Sequence, residues 1–275
     1  MNEADIAGAT WPVIRFGRHI LNEHVRVERR GGVLSITLAR PERRNAITVD
    51  MYTALADAIE SAASDGAIRL VTVRGVGQDF AAGNDLGDFL KALPRDTSEI
   101  PVWRLLRALA TCETPLVAAV HGNCVGIGTT MLLHCDLVIA EEGARFSLPF
   151  VDLALVPEAA STLLLPELAG RRAAARYLLL SEPFGVEEAE AIGLVSHSVS
   201  AGKLEATLGD IVSRLLAKPP AALAATQRLL RAGRSEEVLQ RMKLESDAFA
   251  ERLSSAEAKE AFTAFFEKRK PNFGS

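Results

Sequence analysis

Three short, almost entirely apolar segments constrain the fold of this chain most strongly. They lie at residues 70–73, 116–120 and 137–140, and each has the length of a β-strand. Such continuous apolar character is expected of strands whose two sheet faces are both covered. Helical patterns alternate with these segments, and from residue 160 onward helical patterns dominate. We therefore predict an α/β body that extends to about residue 200, followed by a helical C-terminal part.

Local patterns predict further elements. Residues 33–38 place leucine or isoleucine at every second position, which indicates a half-buried strand. Thr48 can cap a following helix, whose apolar stripe consists of Met51, Leu55, Ile59 and Ala62. In the C-terminal part, Pro219 and Pro220 separate two predicted helices, and no strand is expected from residue 204 onward.

The length and charge of the chain exclude several classes of function. With 275 residues, the chain can bury a large core. Its net charge of −4, with both signs spread along the chain, is not typical of a protein that binds nucleic acid or an anionic membrane through a general basic surface. Its apolar runs are too short and too interrupted to span a bilayer. Because residues 1–21 lack the pattern of a signal peptide, we expect a cytoplasmic protein.

The cysteines and histidines do not predict a metal site. Cys112, Cys124 and Cys135 are an odd set without the spacing of zinc ligands, so we interpret them as buried thiols and expect neither a disulfide nor a metal ion. His121 and His134 have no acidic or nucleophilic residue at a spacing in the sequence that would indicate a catalytic pair, which favours ordinary packed or strand-end histidines.

Two glycine-containing turns carry the strongest functional signal. Residues 80–86 read Phe-Ala-Ala-Gly-Asn-Asp-Leu, and residues 121–128 read His-Gly-Asn-Cys-Val-Gly-Ile-Gly. Each places glycine after a short apolar run, where the chain must turn sharply and expose its N–H groups. Two such turns side by side can form an oxyanion hole, in which two amides stabilise one developing negative charge. Either stretch alone is more often only an ordinary turn after a strand, and it is their order, spacing and flanking residues that favour the functional interpretation.

These turns, with three further segments, resemble the crotonase family of enoyl-CoA hydratases and isomerases. The further segments are residues 38–47, 135–140 and 260–273, and the resemblance extends from residue 25 to 273. It implies an α/β fold, a spiral of ββα turns, with C-terminal helices that form a trimer, often as a dimer of trimers. On this basis we divide the chain into an N-terminal extension (1–24), a spiral core (25–203) and a helical region (204–275).

The resemblance also implies roles for individual residues. The oxyanion-hole donors correspond to the backbone N–H groups of Asn84 and Ile127, although the family usually has glycine at the position of Ile127. Contacts with the coenzyme A (CoA) moiety are implied for Arg43, Ala46, Ala82, Gly83, Asn84, Asp85, Leu86, Phe265 and Lys268. From the residues alone, Arg43 and Lys268 can be solvated surface charges, and Phe265 can belong to the core-facing side of a helix.

The two carboxylates of typical hydratases are missing from this chain. Family members that add water use two glutamates, because water must be activated and a proton must be delivered. The corresponding positions here hold Thr130 and Phe150, neither of which can act as a carboxylate. We assign both residues to the acyl pocket.

Glu158 is the candidate that replaces this pair. It follows Pro157, which could begin a helix, and a first-turn glutamate favoured by the helix dipole is the simplest interpretation. However, residues 148–150 followed by Pro157 and Glu158 resemble the peroxisomal-type Δ3,Δ2-enoyl-CoA isomerases, whose catalytic glutamate occupies this position. Apolar surroundings would raise the pKa of Glu158 and make it a better base.

The resemblance therefore implies an enoyl-CoA isomerase of fatty acid metabolism. One carboxylate suffices to move a proton from C2 to C4 of a 3-enoyl-CoA, and the reaction requires no metal or redox cofactor beyond the CoA of the substrate. Two alternatives stay open. One is a hydratase, or another reaction of a thioester enolate, that uses Glu158 or Asp152. The other is a CoA-binding or scaffold protein without catalysis.

Overall fold

The larger of two sheets forms the frame of the molecule. The computed structural model describes residues 19–91 and 101–274. Within these ranges, the strands of this sheet are β1 (His19–Asn22), β2 (Val25–Arg30), β3 (Val33–Leu38), β4 (Leu70–Gly75), β5 (Leu116–Val120), β7 (Leu137–Glu141) and β10 (His197–Val199), in that spatial order. The first three pair antiparallel, and the pairs from β3 to β10 are parallel.

A small second sheet carries the two glycine turns. It contains β6 (Asn123–Val125), β8 (Arg145–Ser147) and β9 (Phe184–Gly185), with β8 in the centre. Isolated bridges between Ala81 and Cys124 and between Ile47 and Asn84 extend it towards the first turn. This sheet therefore places residues 80–86 beside residues 121–128.

Helices cover the sheets and form the C-terminal region. They are α1 (Val49–Ser64), α2 (Leu86–Lys91), α3 (Pro101–Thr111), α4 (Ile127–Thr130), α5 (Ser161–Ala169), α6 (Arg171–Leu179), α7 (Val186–Ala191), α8 (Leu204–Leu216), α9 (Pro220–Arg231), α10 (Ser235–Leu253) and α11 (Ala256–Glu267). Short 3-10 helices span Pro41–Arg43, Met131–His134 and Val151–Leu153. None of the described helices is long and apolar enough to cross a membrane.

Several predicted elements are confirmed. The Thr48 hydroxyl accepts a hydrogen bond from the Met51 N–H at 3.3 Å and begins α1, whose predicted apolar stripe is buried. The three apolar segments are strands β4, β5 and β7, and Pro220 opens α9. The described chain has no strand after β10, so the α/β body and the helical C-terminal part are as predicted.

The prediction that residues 33–38 are only half-buried is wrong. Val33 and Thr37, on the face that we expected to be open, are 8% and 7% exposed. Helix α8 covers this face, where Leu204, Leu208 and Ile211 form a second core with Val33 and residues of β4, β5 and β7. The sheet therefore has an apolar layer on both sides.

The sheet also begins earlier than residue 25. Strand β1, which lies within the predicted N-terminal extension, pairs with β2, with His19 opposite Val27. The remainder of that segment, residues 1–18, lies outside the described residues.

Candidate active site

The two glycine turns touch each other. Gly83 has a φ of +87°, and a Cβ atom placed there would lie 3.1 Å from the carbonyl oxygen of Val125. A Cβ on Gly128 would lie 3.0 Å from the Cβ of Ala81. The approach of the second turn to the first therefore depends on the missing side chains at both glycines.

The turns leave two backbone amides available. The Ile47 N–H donates to Gly83 O at 2.8 Å and the Asp85 N–H donates to Ile47 O at 2.9 Å, so the intervening amide of Asn84 points away from Ile47. In the second turn, Ile127 is the first residue of α4, where helix geometry provides no acceptor for its N–H. Within the described residues, neither N–H has a hydrogen-bond acceptor. Two free donors on touching turns can serve one carbonyl oxygen.

Arg40 connects the segment at residues 38–47 to the first glycine turn. Its guanidinium donates to the Asp85 carboxylate at 2.7 Å and to Ala46 O at 3.0 Å. Burial acts to raise the pKa of Asp85, but the hydrogen bonds from Arg40 and from the Asp88 N–H, with the charges of Arg40 and Arg43, hold that pKa below its ordinary value. Asp85 is therefore an engaged carboxylate and a poor proton acceptor.

The structure brings most of the residues proposed to contact CoA into one region. Ala46 and residues 82–86 are joined by the hydrogen bonds of Ile47 and Arg40. Arg43 is exposed beside them, and its charge reaches Asp85. Phe265 and Lys268 lie at the end of α11, which packs on residues 151–153. Phe265 is 57% exposed, so the alternative that it is a core residue of this chain is wrong.

Neither candidate position for a hydratase carboxylate offers a replacement acid. Thr130 is fully buried in α4, and within the described residues its hydroxyl oxygen has no hydrogen-bond partner. Phe150 is 5% exposed and precedes the 3-10 helix Val151–Leu153. Asp152, the alternative base, lies on that short helix and is exposed to solvent. A side chain that faces water is poorly placed to act as a base on a buried substrate carbon.

Glu158 is buried but does not begin a helix, so that part of our prediction is wrong. Helix α5 begins at Ser161. Before it, Ala159 and Ala160 have φ angles of +63° and +55°, which form a tight left-handed turn. Glu158 is 8% exposed, and within the described residues its Oε1 atom has no hydrogen-bond partner. The interpretation as a solvated first-turn residue therefore fails.

Burial changes the acidity of Glu158. Loss of solvent, and secondarily the charge of Glu245, raise its pKa from the ordinary 4.5 to about 8. A carboxyl group without compensating hydrogen bonds is costly to ionise and correspondingly strong as a base. Its protonated form can also return a proton near neutral pH.

Tyr52 links Glu158 to the oxyanion turn, and the sequence analysis missed it. The Tyr52 hydroxyl donates to the side-chain oxygen of Asn84. The pKa of Tyr52 is raised well above its ordinary value by burial and by the charge of Glu158. The two groups therefore lie within electrostatic reach. Tyr52 shares a helix face with Leu55 and Ile59. The presence of a hydroxyl-bearing residue in that apolar stripe is the sequence feature that could have identified it.

Among the cysteines and histidines, His134 contacts the turn that follows Glu158. Cys112 and Cys124 are buried free thiols, and burial raises the pKa of each. The His121 ring contacts Gly77 O at 3.0 Å, and the His134 ring contacts Ala159 O at 2.8 Å. His134 is a packed residue and the half-buried His121 directly follows β5, so both agree with the prediction of packed or strand-end histidines.

Comparison with known proteins identifies similar sequences and folds. The sequence profile described as enoyl-CoA hydratase/isomerase matches residues 28–275. A probable enoyl-CoA hydratase of Rhodobacter capsulatus is 34% identical, over 90% of this chain and 97% of the relative. The 1,2-epoxyphenylacetyl-CoA isomerase of Escherichia coli is 32% identical, over 88% and 95%. The crystal structure of an enoyl-CoA hydratase/isomerase from Pseudoalteromonas atlantica is 42% identical, with a TM-score of 0.86, over 92% of this chain and 100% of that one.

Proposed function

This chain belongs to the enoyl-CoA hydratase/isomerase family and has the crotonase fold, as its sequence motifs predicted, and on that premise we propose that it is a Δ3,Δ2-enoyl-CoA isomerase. The observation that carries this proposal is the buried Glu158, whose charge reaches Tyr52 beside the first oxyanion turn, with Thr130 and Phe150 at the positions of the hydratase glutamates. One carboxyl group can shuttle one proton. Addition of water requires a second group that activates the water.

The proposed reaction moves one proton and one double bond. The thioester oxygen of a 3-enoyl-CoA accepts hydrogen bonds from the Asn84 and Ile127 N–H groups. Glu158 removes a proton from C2, and the electron pair of that C–H bond delocalises over the thioester and the C3–C4 double bond as a dienolate. Protonated Glu158 then delivers the proton to C4, which leaves a double bond between C2 and C3. These steps use a base and two amide donors, so we propose no metal or redox cofactor.

We place the CoA moiety along the surface formed by Arg43, Ala46 and residues 82–86. The charge of Arg43 suits a phosphate, and the turn offers backbone contacts to the pantetheine part. Thr130 and Phe150 would line the acyl pocket. The side chain of Ile127, where relatives usually have glycine, would narrow that pocket next to the thioester.

A homotrimer, or a dimer of such trimers, would complete the site. Phe265 and Lys268 are exposed at the end of α11. Large apolar side chains are exposed on the same C-terminal helices, namely Leu229, Leu230, Leu244, Phe265 and Phe266. Exposed apolar groups of this kind mark contact surfaces. We propose that they meet a neighbouring subunit, whose CoA surface Phe265 and Lys268 then reach.

A hydratase, or another reaction of a thioester enolate, that uses Glu158 or Asp152 is the second candidate function. It is favoured by relatives such as that of Rhodobacter capsulatus, which is named a probable hydratase. Incubation with a 3-enoyl-CoA, and separately with crotonyl-CoA, distinguishes the two. The isomerase proposal predicts that the absorbance of the conjugated thioester appears with the first substrate and persists with the second. Rapid loss of crotonyl-CoA without conversion of the 3-enoyl-CoA would contradict it, and binding without turnover of either would favour a non-catalytic CoA-binding protein.

A further inference from the structure

The turn that carries Glu158 is held in a costly backbone conformation. Ala159 and Ala160 are consecutive non-glycine residues with positive φ angles, +63° and +55°. L-amino acids adopt this region rarely, because Cβ approaches the following carbonyl oxygen. Such a conformation persists only where the surrounding structure fixes it.

Glu245 fixes most of this turn from a distant part of the chain. Its Oε2 atom accepts the Ala160 N–H at 2.6 Å. Its Oε1 atom accepts both the backbone N–H of Thr162, at 2.9 Å, and the Thr162 hydroxyl, at 2.5 Å. Glu245 lies on α10, 85 residues from Ala160 in sequence. It therefore supplies from another helix the cap that the alanine at the start of α5 cannot provide.

His134 holds the remaining carbonyl group of the turn. Its Nε2–H donates to Ala159 O at 2.8 Å. Burial lowers the pKa of His134 to about 4, so the ring is neutral near pH 7 and this bond carries no charge. Burial raises the pKa of Glu245, whereas the hydrogen bonds from Thr162 and Ala160 and the charge of Arg241 favour its ionised form.

We propose that Glu245 is a positioning residue for the reaction: its carboxylate fixes residues 158–162 and places a second negative charge beside the base. The inference rests on the proposed role of Glu158. Its basis is the geometry of the three hydrogen bonds, together with the burial of Glu245, which is only 6% exposed. Burial of a carboxylate is energetically unfavourable. Here the buried carboxylate accepts hydrogen bonds from the turn that directly follows the base.

The charge of Glu245 gives this role a signature that a purely structural cap would lack. Burial is the larger cause of the raised pKa of Glu158, and the charge of Glu245 is the second cause. The other titratable or charged groups around this turn are Tyr52 from α1, Arg241 from α10 and neutral His134. Arg241 donates to the Thr162 hydroxyl oxygen at 3.3 Å. Removal of the Glu245 charge should therefore lower the pKa of Glu158.

The test compares Glu245→Gln with Glu251→Gln, an exposed glutamate of the same helix. Two quantities are measured in each: the pH dependence of kcat/KM for isomerisation, and the titration of the Glu158 carboxyl carbon by NMR, assigned by its absence in Glu158→Gln. For Glu245→Gln we expect the acidic limb and the NMR titration to move to lower pH. The limiting kcat should fall about tenfold or more, because the base is less well held, while KM stays near its native value. Glu251→Gln should change none of these.

A second variant keeps the test decisive if Glu245→Gln does not fold. Thr162→Val removes one hydrogen bond to Glu245 and keeps the side-chain shape, and it should lower kcat less but in the same direction. A folded Glu245→Gln with native kcat and an unmoved Glu158 titration would overturn the proposal, and so would a Thr162→Val with native kcat. The NMR titration requires no turnover. A wild-type protein that fails to isomerise would therefore refute the proposed function, while the response of Glu158 to Glu245→Gln still tests this inference.

Discussion

The Tyr52 hydroxyl donates a hydrogen bond to the side-chain oxygen of Asn84, the residue whose backbone N–H is the first proposed oxyanion donor. Tyr52 is 1% exposed in α1, so this bond ties the glycine turn to a rigid helix. Burial, and secondarily the charge of Glu158, raise the pKa of the same hydroxyl. One buried tyrosine therefore connects the group that would hold the thioester oxygen with the group that would move the proton.

Tyr52→Phe should slow isomerisation without unfolding the protein. The substitution leaves the Asn84 side chain without its donor and loosens the turn. Since a neutral hydrogen bond contributes about 1 kcal/mol, we expect kcat to fall about fivefold to tenfold. Tyr177→Phe is the control, because Tyr177 is equally buried but packs against Phe184. Equal kcat values for the two variants would show that Tyr52 has no special role.

Gly83→Ala should separate the two turns. Alanine there would be strained at a φ of +87°, and its Cβ would press on Val125 O at 3.1 Å. Displacement of a catalytic group by about 1 Å can cost about a hundredfold in rate, and we expect a loss of that order in kcat. Gly143→Ala is the matched control, because Gly143 has a φ of +88° with no atom within 4 Å of the added Cβ. If both variants retain native kcat, the contact between the turns is not needed for catalysis.

The sequence predicted these turns because their determinants are local. Glycine at 83, 126 and 128 and the cap at Thr48 act within a few residues of themselves, and the continuous apolar strands indicate their own burial. The turn at Glu158 was mispredicted as a helix start. Its left-handed alanines are held by Glu245, and no local pattern reveals a cap that arrives from 85 residues away. The packing of α8 against Val33 was not predicted either, because these residues are also far apart in the sequence.

The rate of isomerisation should rise with pH through about 8. The base acts only when it is deprotonated, and the pKa of Glu158 in the free protein is raised to about 8 by burial and by Glu245. The acidic limb of kcat/KM reports this pKa. A pH series with a 3-enoyl-CoA substrate measures it. An acidic limb close to 4.5, the ordinary value for glutamate, would mean that the base is solvated or is another group.

Glu158→Gln should stabilise the protein at alkaline pH. A carboxyl group whose pKa is raised in the folded state favours folding fully below its unfolded pKa, and this contribution is lost as pH rises through the folded value. The window is therefore between 4.5 and about 8, and the loss is at most about 5 kcal/mol. Urea denaturation at pH 5 and pH 9 measures the difference between variant and wild type. A difference that does not grow with pH would contradict the burial of an ionisable Glu158.

Turnover of a 3-enoyl-CoA by Glu158→Gln tests the central claim most directly. Glutamine preserves the size of the side chain but cannot accept the C2 proton, while the proposed CoA contacts lie elsewhere. We predict normal folding, near-native affinity for a CoA thioester by calorimetry, and a fall in kcat of about a hundredfold or more. Asp85→Asn and Asp152→Asn, measured in parallel, should keep far more activity. Near-native turnover by Glu158→Gln, with activity abolished in either aspartate variant, would show that the base is not Glu158.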